Sequence, residues 1–149
     1  MNFISEPRIL LDEYQAWVAP HLNPSSLFLS VVLVRVANPY QFMKAKFEFI
    51  DRAIFLRRPG KLTRFPVLSL MEEFLHCHVL IGDYPYSNPR RSIRSLEELI
   101  LLEFKKSLPR TGDVHIARVT GNSGLPLLYS LKSQGSVEVL LEAMHLPCQ

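Results

Sequence analysis

Apolar residues recur at two spacings along this chain, and the switches between them outline its elements. From Arg8 to Val18, the residues Ile9, Leu10, Tyr14 and Trp17 or Val18 return at helical spacing, and Pro20, Asn23 and Pro24 end the run. Leu27-Phe28-Leu29-Ser30-Val31-Val32-Leu33-Val34 is continuous and rich in β-branched residues, which predicts a central strand covered on both faces. Asn38-Pro39 then supplies a capping side chain and a proline suited to the first helical position. The helix it opens is expected to reach about Arg57, with Phe42, Ala45, Phe49, Ala53 and Leu56 along one face, before Pro59-Gly60 breaks it.

Two strand-like runs follow with almost no connection, from Phe65 to about Glu72 and from Leu75 to Gly82. Asp83 to Pro89 reads as loop. Ser95-Leu96-Glu97-Glu98 matches a capping box at the head of an apolar-striped helix that reaches about Ser107. A fourth strand is expected over Val114 to Thr120, a helical segment over Leu125 to Lys132, and, beyond Gly135, a last helix over Val137 to His145. Without the N-terminal helix the order is βαββαβ. This predicts an α+β fold of the ferredoxin-like (split βαβ) kind, an antiparallel sheet with helices mainly on one face and the other face free for a ligand.

The chain has 149 residues, the size of one domain, read here as an N-terminal helical extension over 1–24 and a core over 25–149. A net charge of +3 is compatible with a nucleic-acid partner without pointing to one. Cys77 and Cys148 form no CxxC pair, which argues against a zinc ribbon, and Cys77 falls in an apolar run expected to hold a reduced, buried thiol. The opening residues lack the basic and apolar regions of an export signal, and no apolar run approaches the roughly 20 residues of a membrane span. A cytoplasmic protein without a membrane partner is therefore expected.

The chemistry gathers around His76-Cys77-His78. On a strand, alternate side chains share a face, so the two imidazoles project together and Cys77 points the opposite way. Neutral imidazoles one pleat apart can share a divalent ion; they can equally make ordinary hydrogen bonds. Glu72 and Glu73 stand just before this strand. A carboxylate from either completes a His-His-acid set that leaves positions open on Mg²⁺ or Mn²⁺ for phosphate oxygens, and Glu72 is favoured because it directly follows the apolar run. Tyr129 lies on the late helix with Lys132 three residues on, on the same helical face. A phenol there can act as a nucleophile and the ammonium can add positive charge. Arg57, Arg58, Lys61 and Arg64 form one candidate phosphate-binding cluster; Arg90, Arg91 and Arg94 form another.

These pieces, in this order, resemble the HUH endonucleases, and among them the single-tyrosine initiators of rolling-circle replication of plasmids, phages and circular single-stranded DNA viruses. That family's first motif is roughly Phe-Leu-Thr on the first strand; Phe28-Leu29-Ser30 stands there, with serine for threonine. The second is a histidine pair followed by aliphatics, here His76-Cys77-His78-Val79-Leu80-Ile81, and the third is Tyr129-Ser130-Leu131-Lys132, followed by Gly135. The likeness spans roughly Leu27 to Gly135. The connection between acid and histidines is shorter than is usual in the family.

The resemblance implies a metal-dependent nickase and strand transferase that forms a 5′-phosphotyrosine link on single-stranded DNA, often presented as an origin hairpin. A separate protein would supply helicase activity, and the location would be nuclear for a eukaryotic virus. A single-tyrosine transposase or a relaxase carries the same chemistry. The competing class is a non-catalytic nucleic-acid-binding module of this shape, which stacks bases on sheet aromatics; the middle strands offer Phe65 and Phe74 but no paired aromatic motif.

Overall fold

A computed structural model describes residues 26–55, 60–71, 74–82, 93–107, 111–119, 137–140 and 143–145. Among these the elements are β1 (Ser26–Leu33), α1 (Pro39–Phe55), β2 (Thr63–Met71), β3 (Phe74–Gly82), α2 (Ile93–Lys105), β4 (Thr111–Val119) and β5 (Val137–Val139). The expected N-terminal helix and the helical segment at 125–132 lie outside the described residues.

The fold is α+β. The strands form one five-stranded sheet in the order β4-β1-β3-β2-β5, and every neighbouring pair is antiparallel. It follows that β1 and β2 run in the same direction with β3 between them. Alternation along β1 sends Leu27, Leu29, Val31 and Leu33 into the core, where they meet Cys77, Val79 and Ile81 of β3 and Leu68 of β2. Met43, Phe47, Ile50 and Ile54 of α1 and Leu96, Ile100 and Phe104 of α2 belong to the same cluster, so both helices cover this one face.

Asn38 caps α1 as its sequence predicts. Its Oδ1 accepts the Gln41 backbone N–H at 3.1 Å, and Pro39 takes the first helical position, where a missing N–H is harmless. The buried face of α1 lies one residue on from the apolar face that begins at Phe42. Met43, Phe47, Ile50 and Ile54 are fully or almost fully buried, while Ala45 is exposed and Phe49 is 40% exposed. Two adjacent apolar stripes compete on this helix, and the one with the larger share of bulky aliphatic groups takes the core. Phe42 stays half-buried at the margin, its ring edge-on to Phe104 at 6.3 Å.

Two other expectations fail. Ser95 lies inside α2, which begins at Ile93, so it is not the helix cap. The segment expected to be a helix from Val137 opens instead as strand β5, pairing with β2 through Val67↔Val139, Leu68↔Glu138 and Ser69↔Val137. Pairing satisfies the backbone groups that β2 would otherwise leave on its outer edge, and β-branched Val137 and Val139 suit that task. Just beyond, the Leu140 N–H donates to the Pro66 carbonyl at 3.0 Å. N and C=O of one strand residue point to the same side, so the N–H that Pro66 lacks would have faced this edge and not β3.

Candidate metal and phosphate site

The register decides which side chains share the face of the sheet away from the helices. Ser30 pairs with His78 across β1 and β3, and with His115 across β1 and β4. Across β3 and β2, His78 pairs with Val67 and His76 with Ser69. Phe28, Ser30, His76, His78, Leu80, Phe65, Val67, Ser69 and His115 therefore project together, and Cys77 points into the core as expected. Burial pushes the Cys77 thiol far above its ordinary range, so it is an inert core side chain.

This face is not open along its length, contrary to expectation. Phe65 is 2% exposed, Val67 0%, Leu80 1% and Phe28 9%. Access grades along β3: Phe74 is 43% exposed, His76 partly exposed, His78 8% and Leu80 1%. The histidine pair thus sits where the face opens toward the β2–β3 connection, and exposed His115 stands on β4 on the same side of the sheet.

His78 is held in place from behind. Ser30 Oγ lies 3.0 Å from its Nδ1, and the Phe28 ring is tilted against it at 5.7 Å. The His76 and His78 rings are parallel within 4°, with centroids 6.0 Å apart. Burial first, and the charge of His76 second, lower the His78 pKa to about 4, so its imidazole is neutral at physiological pH. Its Nε2 is buried and has no hydrogen-bond partner among the described residues; nor has Ser69 Oγ, across from His76 on β2. Each such orphan costs about 1–3 kcal/mol, a cost that a ligand at this spot would remove.

A neutral imidazole with a free, directed Nε2 is what a divalent ion takes as a ligand. With nitrogen about 2.1 Å from the ion, each ring centre sits roughly 3 Å from it, so two rings sharing one ion can have centres up to about 6 Å apart. That limit holds only for rings that face the ion from opposite sides; His76 and His78 are stacked parallel, so His76, the more exposed ring, must turn toward His78 Nε2 for both to reach one ion. With that turn the pair offers two nitrogen ligands to a divalent ion. Among the described residues no group of three His, Cys, Asp or Glu gathers around one point. On the histidine face, β2 places Ser69 and Val67 beside the pair. An acid must then come from elsewhere, and Glu72 and Glu73, which join Met71 to Phe74, lie outside the described residues.

Tyr129, Lys132, Arg57, Arg58, Arg90 and Arg91 also lie outside them, and of Arg94 only the backbone, in the first turn of α2, is described. Lys61 is exposed just before β2. Arg64 is a correction: it is 4% exposed and packed on the helix side of the sheet, its guanidinium bound to Asp51, so it offers no surface for a phosphate. Ser69 and the Ser30–His78 contact were not foreseen. His115 shares the site's face through Ser30.

The chain matches no known family model, and no curated protein or solved structure matches it. No helix among the described residues is long and apolar enough to cross a membrane.

Proposed function

We propose that this protein is a metal-dependent, single-stranded DNA nickase and strand transferase of the HUH type, of which a rolling-circle replication initiator is the first instance and a single-tyrosine transposase or relaxase the alternative. One observation carries the reading: His78, neutral and fixed through Nδ1, keeps a buried Nε2 with no partner among the described residues, beside a parallel second imidazole on the same strand. The β1-α1-β2-β3-α2-β4 order, with β3 lying between β1 and β2, supports a split βαβ sheet lengthened by β5.

In this reading His76, His78 and Glu72 (or Glu73) hold Mg²⁺ or Mn²⁺, which when bound polarises the scissile phosphate. The Tyr129 phenol oxygen forms a bond to phosphorus while the bond to the 3′ oxygen breaks. The protein keeps the 5′ phosphate, and the leaving oxygen takes a proton as a free 3′ hydroxyl. Lys132 adds positive charge where the phosphate oxyanion grows. Lys61, Arg57, Arg58, Arg90, Arg91 and Arg94 are the remaining candidates for holding the strand, with a hairpin as its presented form and a separate helicase as the unwinding partner. A non-catalytic stacking module is disfavoured because Phe65 is 2% and Phe28 9% exposed, leaving Phe74 as the one exposed phenylalanine on the described strands of this face.

The test is incubation with labelled single-stranded and hairpin oligonucleotides and Mn²⁺. A protein–DNA band that survives denaturing electrophoresis is expected for the wild type and is lost in Tyr129→Phe and in His78→Ala. A band of undiminished strength in Tyr129→Phe would remove that residue from the role; no band with any oligonucleotide in the wild type would remove the activity.

A further inference from the structure

We propose that Ser30 is a positioning residue: its hydroxyl engages His78 Nδ1 and so commits Nε2, as a lone pair, to the metal. The inference rests on the metal reading above and deepens it. Ser30 is the direct register partner of His78, which makes the contact a fixed property of the β1–β3 pairing. Phe28, two residues earlier on the same face, leans on the ring and limits its swing. A neutral imidazole carries one N–H. If Ser30 donates to Nδ1, that N–H sits on Nε2, where it is buried and unpaired. If Nδ1–H donates to Ser30 Oγ instead, Nε2 presents a lone pair in the same buried place, and an ion satisfies it. Only the second tautomer binds metal, and only a side chain that can accept from Nδ1 favours it. Threonine meets that requirement as well as serine; alanine does not.

Two measurements on the full chain test this. The first is Mn²⁺ binding by calorimetry for the wild type, Ser30→Ala and Ser30→Thr. Ser30→Ala is expected to lose about 10- to 100-fold in affinity and Ser30→Thr to stay near the wild type. The second is imidazole ¹⁵N chemical shifts of the metal-free protein, which report the His78 tautomer: Nδ1–H in the wild type and Ser30→Thr, a shift toward Nε2–H in Ser30→Ala. Rescue by threonine separates positioning from a general loss of folding. Unchanged affinity and unchanged tautomer in Ser30→Ala overturn the proposal. A wild type that binds no Mn²⁺ overturns the metal reading itself, and the ¹⁵N shifts then still decide whether Ser30 sets the tautomer.

Discussion

Arg64 and Asp51 form a closed ion pair on the helix side of the sheet, Nη1 to Oδ2 at 2.7 Å, with the two side chains 4% and 8% exposed. Asp51 Oδ1 also accepts the Leu62 N–H at 2.8 Å, and Arg64 Nε donates to the Ala143 carbonyl at 2.8 Å. The guanidinium lies over the Phe47 ring at 5.0 Å. One arginine therefore ties α1, the entry to β2 and the chain beyond β5 together. Removing one partner strands the other charge in a dry place, so Asp51→Ala is expected to cost about 3–5 kcal/mol. Replacing both by apolar residues, Asp51→Leu with Arg64→Met, is expected to cost clearly less than Asp51→Ala alone. Urea midpoints of the single and double variants check this; a double variant at least as unstable as Asp51→Ala would contradict it.

The two sides of α1 differ in the same way. Phe47 is fully buried, with its ring 6.2 Å from Phe104 in an edge-on contact, whereas Phe49 is 40% exposed and carries Lys106 over its ring at 5.2 Å. Phe47→Ala empties part of the core and is expected to destabilise by about 3–5 kcal/mol. Phe49→Ala gives up an exposed cation–π contact and some surface packing, about 1 kcal/mol. Equal losses in chemical denaturation would mean that the helix is turned otherwise.

This pair also shows where the amino-acid pattern runs short. Helical spacing announced α1 and its Asn38 cap, but Phe42-Phe49 and Phe47-Ile54 are both apolar sets at seven-residue spacing, and only the partner surface decides which is buried. Strand alternation was stronger: it put His76 and His78 on one face and Cys77 on the other without any tertiary knowledge. The Ser69 position was within reach too, because Met71 pairs with Phe74 across Glu72-Glu73, and counting outward sets Ser69 against His76. Ser30 beside His78 was not, since nothing local fixes the register of strands so far apart in the chain. Arg64 misled for a related reason. A run of cations near Arg57 looks like surface charge until the buried acid that claims one of them, Asp51 on the preceding helix, is seen.

Ser69 offers a direct comparison of stability with ligand binding. Its side chain is 1% exposed and its Oγ has no partner among the described residues, so the folded state carries an unrewarded desolvation cost. Ser69→Ala removes the hydroxyl with little change in volume and is expected to leave stability unchanged or raise it by about 1 kcal/mol. Because Ser69 stands opposite His76, the same change is expected to weaken Mn²⁺-dependent oligonucleotide binding. Thermal denaturation in the presence of a chelator reads the first effect. A loss of several degrees in midpoint would show that Ser69 has a partner after all.

The depressed His78 pKa has a consequence for stability that can be measured without any ligand. The unfolded chain binds a proton at His78 near the ordinary value of 6.5, and the folded chain only near 4. Between those values the unfolded state holds more protons, so stability rises with pH across that window. The contribution is present in full above pH 6.5, falls as the solution is acidified, and is gone below about pH 4, where both states are charged. With His78 8% exposed, the span corresponds to about 3 kcal/mol at most. Urea unfolding of the metal-free protein in a chelator, repeated from pH 4 to pH 7 beside His78→Leu, isolates the effect, because other titrating groups are common to both. The wild-type curve is expected to climb more steeply than the variant's, with the difference concentrated between pH 4 and 6.5. Parallel curves would mean that His78 takes up its proton equally well folded and unfolded, and the buried, neutral imidazole on which the metal site depends would not exist.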